Sequence, residues 1–369
     1  MTCFPNFPTG RVFHGYKNLL YAREVIDGIE VIRVWTYITA NEGLIKRTLD
    51  YMSFAFIAIF TSMRIKFDVA IATSPQFFTA LAGMILSKFK RKPWIMEVRD
   101  LWPESILAVG AIDNRIIISL LKKLEKKCYI SATKIISVTD SFKRVIVSDG
   151  IQPDKISVVK NGVNHALFTP RDKDKQLLAE HCLDNKFLVG YIGTLGIAHG
   201  LDFIVDSAEA IKDDHIHIVL MGEGANKKKL RKNIQNRDLA NISIIDSVPK
   251  QEIVDYIASI DVALINLKKA PLFKTVIPSK IFENAAMGKP ILLGVNGEAR
   301  QIIEDYSAGL YFEPENQSDF VEKLLLLKND KNLYKTCQRG CRKLAKDFDR
   351  RKLAKKMFFD IESTLDISL

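Results

Sequence analysis

The segment Pro278-Ser279-Lys280-Ile281-Phe282-Glu283, closed by Gly288-Lys289-Pro290, holds the residue types that a phosphorylated ligand needs. Pro278 and Ser279 are helix-start residues, Lys280 and Glu283 stand about one turn apart on one face, and Gly288 ends the helix. A helix amino end with a lysine beside it suits a diphosphate, and a carboxylate one turn deeper suits the paired hydroxyls of a ribose. The plainer reading is a surface salt bridge on a capped helix. A second candidate is Gly193-Thr194-Leu195-Gly196-Ile197-Ala198-His199-Gly200-Leu201-Asp202, where glycines would let main-chain N–H groups approach a diphosphate closely. Its spacing is neither the dinucleotide fingerprint nor the P-loop, and an ordinary strand-to-helix turn accounts for it equally well. Gly222-Glu223-Gly224 repeats the theme more weakly. Arg99-Asp100-Leu101-Trp102-Pro103-Glu104 leaves an apolar strand where open parallel sheets place their binding residues, although a plain loop would look the same.

Other patterns carry less. His215 and His217 share one face of a strand without a third ligand. Asp172-Lys173-Asp174 and Asp347-Phe348-Asp349 match a bare D-x-D pattern, the first in a linker and the second in a basic helical tail. The run Lys227-Lys228-Lys229-Leu230-Arg231-Lys232 reads as a solvated helix face. No metal site and no cofactor are expected.

The elements that must position these residues alternate between short β-like runs and longer helical ones, the mark of an α/β protein with parallel sheets. Strand-like runs fall at 28–35, 67–73, 93–99, 132–139 and 156–159, with helical patterns at 48–66, 76–90, 114–130 and 141–148. The second half repeats the alternation at 187–193, 215–221, 242–245, 262–267, 290–295 and 309–312. Lys160-Asn161-Gly162-Val163-Asn164 and the charged stretch 169–175 read as a linker. Two doubly wound domains, 1–168 and 169–350, followed by a C-terminal helix at 351–369 that packs back on the first, are therefore expected. Loops after strands, at helix amino ends, are where such sheets bind anions.

The composition of the 369 residues, 47% hydrophobic and 26% charged, excludes wholesale disorder, collagen-like repeats and a polytopic membrane protein. Net charge is +11 and lopsided: residues 1–168 carry 23 basic and 14 acidic side chains, residues 169–369 carry 31 and 29. A basic first half suits an anionic partner such as nucleic acid, lipid headgroups or a diphosphate. The five cysteines Cys3, Cys128, Cys182, Cys337 and Cys341 include no C-x-x-C pair, so reduced thiols in the cytoplasm are expected. Met1 leads directly into a turn-rich segment, and no signal peptide is expected. The longest uncharged apolar stretch, 51–63, falls short of the roughly 20 residues that a spanning helix needs. The surrounding segment 46–66 is apolar and aromatic with basic residues at both ends. It reads either as a buried helix or as one lying at a membrane surface.

These residues together resemble glycosyltransferase family 4, and within it the WbuB-type enzymes of bacterial surface-polysaccharide assembly. The resemblance runs over almost the whole chain. It is carried by FPNFPTGRVFHG at 4–15, EVRDLWPES at 97–105, VKNGV at 159–163, the loop 193–202, and PSKIFE at 278–283 with Gly288-Lys289-Pro290. It implies a GT-B fold, two Rossmann-like domains facing across a cleft, with a nucleotide-sugar held by the second and transferred with retention of configuration. The acceptor implied is a saccharide on a polyprenyl diphosphate, met by a peripheral protein on the inner face of the bacterial inner membrane. Glu283 takes the ribose-binding position, Ser279 and Lys280 contact the diphosphate, and Gly193, Thr194, Gly196, Gly222 and Val248 complete the nucleotide-sugar set. The family's first glutamate corresponds to Thr275, and its usual basic pair to Thr194 and His199. Positive charge for the leaving diphosphate then falls to Lys280 and Lys274, with His199 beside them. Arg99, Asp100 and Glu104 lie on the acceptor side, Asp100 orienting acceptor or sugar. Family members begin with a further strand, glycine-rich loop and helix, so a first domain lacking that unit is expected.

Transfer from a nucleoside diphosphate sugar passes through an oxocarbenium-like state, and catalysis reduces largely to stabilising the departing diphosphate and placing the acceptor hydroxyl. A helix dipole and a lysine do that without metal. Two other activities fit the same architecture: a sugar-nucleotide 2-epimerase, which needs no lipid acceptor, and a non-catalytic module that binds donor or membrane. Nucleic-acid binding is not expected, because the basic residues are not gathered with aromatics into a binding motif.

Overall fold

Short runs of aliphatic and β-branched residues, bounded by Gly, Pro and Asp, form the two parallel sheets seen in a computed structural model that describes residues 1–6, 10–39, 44–74, 76–108 and 114–366. The chain divides into one unit of Met1–Val159 with Lys356–Leu369 and a second of Lys160–Lys355. The division falls at 159/160 rather than 168/169, because Val163 and Phe168 are buried in the core of the second unit. Likewise it cuts inside the last helix, Arg350–Asp366, rather than ahead of it.

In the first unit, β1 (Thr2–Cys3), β2 (Tyr21–Ile26) and β3 (Ile29–Val34) form one small sheet in the order β1-β3-β2. Then β4 (Ala70–Thr73), β5 (Trp94–Val98), β6 (Lys134–Ser137) and β7 (Ile156–Val158) form a parallel sheet in chain order. The strand at 21–26 was not anticipated. It is the first arm of an antiparallel hairpin turning at Asp27-Gly28, with φ of +51° and +80°. That is the Asp-Gly chemistry of a two-residue hairpin, so the signal was present in the sequence. The terminal helix is fastened to this unit by Asp360, whose Oδ1 accepts from Ser157 Oγ at 2.8 Å and lies 3.3 Å from Lys134 Nζ.

Helix Leu44–Ser62 is buried along one face, as the core reading expected, and exposed along another. Ala55 and Ala58 are buried where it packs against helix Phe77–Lys90, while Leu49, Met52, Phe56 and Phe60 are exposed. Those four are spaced three or four apart and form a single stripe. Among the described residues, no helix is long and apolar enough to cross a membrane.

The second unit holds a six-stranded parallel sheet of β8 (Phe187–Ile192), β9 (Ile216–Met221), β10 (Ile242–Ile245), β11 (Val262–Asn266), β12 (Ile291–Gly294) and β13 (Gly309–Tyr311). Its order is β10-β9-β8-β11-β12-β13. Helices cover both faces, so β9, β11 and β12 are buried at every position, as strands with two covered faces must be. The direction of winding reverses between β8 and β11. Ligands of doubly wound sheets bind outside the carboxyl ends of the strands at that reversal.

Candidate functional site

The loops leaving β8 and β11 flank the reversal. Gly193, directly after β8, has φ +140°, a conformation that L side chains rarely adopt, and a Cβ there would lie 2.4 Å from Lys280 Cε and 2.6 Å from Lys280 Nζ. Gly222, directly after β9, has φ +144° and a Cβ there would lie 1.9 Å from the Gly193 carbonyl oxygen. Leu195 N–H donates to the Glu223 carbonyl at 2.8 Å, which laces the two loops together. Gly193 and Gly222 are therefore places where main chain and a lysine side chain meet at closest approach, whereas a Cβ at Gly196 would make only ordinary contact, 3.5 Å from the His199 ring. The N–H groups of Thr194 and Gly196 have no hydrogen-bond partner among the described residues.

Lys280 opens helix Lys280–Ala286 and turns beneath Gly193. Its Nζ is sealed from solvent and makes no hydrogen bond, and it sits 3.6 Å from the centroid of the Tyr191 ring. Burial lowers its pKa from the ordinary 10.5 to about 7, against a smaller upward pull from Glu283. Tyr191 is itself buried and fixed by donating its hydroxyl to the Thr194 carbonyl at 2.7 Å. A desolvated ammonium supported only by an aromatic face is a costly arrangement, and an incoming anion would relieve it. Glu283, half-buried one turn further along the helix, is pushed above the usual carboxylate range by burial, while Lys250, Arg350 and Lys280 pull it back.

The helix amino end itself offers less than its sequence promised. Ile281 and Phe282 N–H donate at 3.1 Å to the carbonyls of Pro278 and Ser279, so the lysine carries most of the positive character. Exposed Ser279 makes no capping bond with its side chain. His199 stands over the edge of Tyr191, with centroids 5.7 Å apart. Burial and then the Lys280 charge push its pKa down to about 4, so near neutral pH it is an uncharged imidazole. It is bound to Asn266, whose Nδ2 donates to the His199 carbonyl at 2.9 Å. Val248 is partly buried against the core beyond β10. Lys274 is exposed and lines a cavity after β11 whose lining includes neither Gly193 nor Lys280. Gly193, Tyr191, His199, Lys280 and Glu283 thus form one group in the second unit.

Arg99, Asp100 and Glu104 belong to the first unit, after β5. Burial raises the Asp100 carboxyl to about 6, despite hydrogen bonds from Leu101 N–H and the Ser105 hydroxyl that favour its charged form. The loop is held from three sides. Ser74 Oγ accepts from Arg99 N–H at 3.3 Å, Trp102 stacks on Phe77 at 5.0 Å, and Glu125 takes the Trp102 N–H. Glu125 also accepts the Tyr129 hydroxyl at 2.7 Å, and its burial raises it to about 8. Glu104 is engaged by Lys122 at 2.7 Å, and the Arg99 guanidinium lies 3.4 Å from Glu97.

Residues 12–167 match the family model described as Glycosyltransferase Family 4, and residues 172–344 match the one described as Glycosyl transferases group 1. Each unit belongs to a glycosyltransferase family. WcaI of Escherichia coli (strain K12), named for glycosyl transfer in colanic acid biosynthesis, is 23% identical over 347 residues, which is 89% of this chain and 84% of WcaI. Among solved structures, Anabaena HepE in complex with UDP-glucose superposes with a TM-score of 0.71 at 16% identity, covering 88% of this chain and 85% of HepE. Sucrose-phosphate synthase from Thermosynechococcus elongatus gives 0.78 at 13%, covering 99% and 89%. The fold of this glycosyltransferase is GT-B. The residues that sequence reading missed are Tyr191, which supports Lys280, Asn266, which ties His199 to β11, and Glu125, which anchors the Asp100 loop. Each acts through a contact between positions far apart in the chain or buried inside a strand, where the sequence pattern says only "core".

Proposed function

We propose that this glycosyltransferase moves a sugar from a nucleoside diphosphate donor, UDP-linked, to a saccharide carried on a polyprenyl diphosphate, retaining configuration, in WbuB-type assembly of bacterial surface polysaccharide. The observation that carries the reading is the Lys280 ammonium, buried and unpartnered beneath Gly193. A diphosphate there accepts from Lys280 and from the free N–H groups of Thr194 and Gly196, with Ser279 at its rim. Glu283 takes the ribose hydroxyls. The names of WcaI and of the HepE complex with UDP-glucose support the pathway and the donor.

In the step itself, the bond from the anomeric carbon to the phosphate oxygen breaks, and its electron pair leaves with the phosphate. The acceptor oxygen bonds to the anomeric carbon on the same face, and its proton passes to the departing phosphate. Lys280 stabilises the charge that develops there, so no metal is required. Neutral His199 offers a ring N–H without competing for that charge. Asp100 orients the acceptor hydroxyl. The stripe Leu49, Met52, Phe56 and Phe60, with the basic residues near its helix ends, rests on the inner face of the inner membrane, where a polyprenyl acceptor is anchored.

A thermal-shift panel of nucleoside diphosphates and their sugars tests the donor half. Uridine species are expected to raise the melting temperature selectively, because a ligand that binds only the folded state stabilises it by about 2.7 kcal/mol at a hundred times Kd. No shift with any nucleotide overturns the proposal.

A further inference from the structure

A cavity of about 200 Å³ opens beyond β11 and β12, lined in part by Lys268, Lys269, Lys274, Asn296 and Glu313. Its charge is one-sided. Lys269 pairs with Glu313 at 2.8 Å, and Glu313 also accepts the Tyr311 hydroxyl. The hydrogen bond from Lys269 holds that carboxyl below its ordinary range. Lys268 and Lys274 have neither an ion pair nor a side-chain hydrogen bond among the described residues. Lys274 acts only through space on the Glu313 carboxylate and Lys268 on that of Asp202, so both ammonium groups keep their hydrogen-bonding capacity on one small hollow.

The hollow adjoins the diphosphate loop. Lys268 N–H donates to the Ala198 carbonyl at 2.9 Å, and a Cβ at Gly200 would lie 3.3 Å from Lys268 Cγ. Asn266, two residues before Lys268, holds His199, and its Oδ1 is buried without a partner. A donor whose diphosphate occupies Lys280 and Gly193 thus has this cavity within reach of its sugar ring, across the point where the sheet reverses.

We infer that the transferred sugar carries a carboxylate, so that the donor is a nucleoside diphosphate hexuronic acid. This rests on the nucleotide-sugar reading above and names its substrate class. The carboxylate lies between Lys268 and Lys274 and accepts charge-assisted hydrogen bonds from both, and Glu313 accepts from the ring hydroxyls. A neutral hexose offers neither ammonium group a charged acceptor. An amino sugar adds a third positive charge to the same space.

The test is calorimetric titration of the full chain with UDP, UDP-glucose and UDP-glucuronate, repeated on Lys268→Gln/Lys274→Gln and on Lys274→Gln alone. Lys274 is exposed, so the single variant keeps the comparison valid if the double variant fails to fold. UDP-glucuronate is expected to bind at least about tenfold more tightly than UDP-glucose, the span of one charge-assisted hydrogen-bonded contact. The double variant should erase that preference, and the single variant should reduce it, each losing more affinity for UDP-glucuronate than for UDP. Equal binding of the two sugars by the unaltered chain overturns this inference and leaves the donor reading intact. Equal weakening of all three ligands by the variants assigns the lysines to the diphosphate and overturns it too. Failure of all three to bind overturns both readings.

Discussion

Replacing Lys280 with methionine should make the empty protein more stable and nearly unable to bind its donor. The side chain lies against Gly193 with its Nζ sealed from water, and methionine preserves that shape without the charge. Lowering a lysine from 10.5 to about 7 corresponds to a folding cost of about 5 kcal/mol below neutral pH. Rearrangement that admits water and the attraction of the Tyr191 ring already offset part of any such cost. A gain of about 2 kcal/mol is therefore the least expected, or about 4 °C or more in the melting temperature of a unit this size. The sign follows from linkage. Between pH 7 and 10.5 the unfolded lysine holds a proton that the folded one has lost, so the unaltered protein gains stability as pH rises through that window. The gap between variant and parent should thus be widest below pH 7 and close toward 10.5. Losing a charge-assisted hydrogen bond to phosphate should weaken UDP binding by about 10–100-fold. In the parent at pH 8, calorimetry in two buffers of different ionisation enthalpy should show uptake of close to one proton on binding. A variant that melts lower than the parent at pH 6, or that binds UDP unchanged, refutes the reasoning.

Three further outcomes are expected. Transfer by the unaltered protein should fall about tenfold per pH unit below about 6, where the Asp100 carboxylate takes up its proton, and Asp100→Asn should flatten that limb of the kcat/KM profile. Glu283→Ala should cost about 10–100-fold in UDP affinity and greatly reduce turnover, yet leave binding of inorganic pyrophosphate nearly unchanged, which competition titration would reveal. Phe56→Ser with Phe60→Ser removes the exposed aromatic pair, whose rings lie 4.7 Å apart. It should lower cosedimentation with anionic vesicles at least about tenfold, without altering the UDP-induced thermal shift.

The parallel sheets were legible because their strands are brief apolar runs between turn residues, and the spacing of Lys280 and Glu283 already placed them on one helical face. What no window of sequence contains is the path of the Lys280 side chain back under Gly193, since it depends on a loop some 87 positions earlier taking a positive φ. The neutral state of His199 was hidden for the same reason: it follows from burial beside Lys280, not from its place after β8. Glu104, placed on the acceptor side by resemblance, is paired with Lys122, a partner 18 positions away that no local pattern reveals. The hairpin at 21–34 is a different kind of omission. Its Asp27-Gly28 turn is readable, but the arm at 21–26 is largely exposed and carries no continuous apolar run to mark it as a strand.

The meeting of Gly222 with the Gly193 carbonyl has a consequence for how donor choice can change. The proposed phosphate seat, made from main chain and one sequestered amine, offers almost nothing for substitution to adjust, since a side chain added at Gly193 or Gly222 collides. On the proposed donor placement, sugar preference is set in the neighbouring hollow, where lysines, an asparagine and a glutamate can be exchanged one at a time apart from the nucleotide seat. Libraries randomised at 268, 274, 296 and 313 should yield altered specificity, and libraries at 193 or 222 should yield inactive protein.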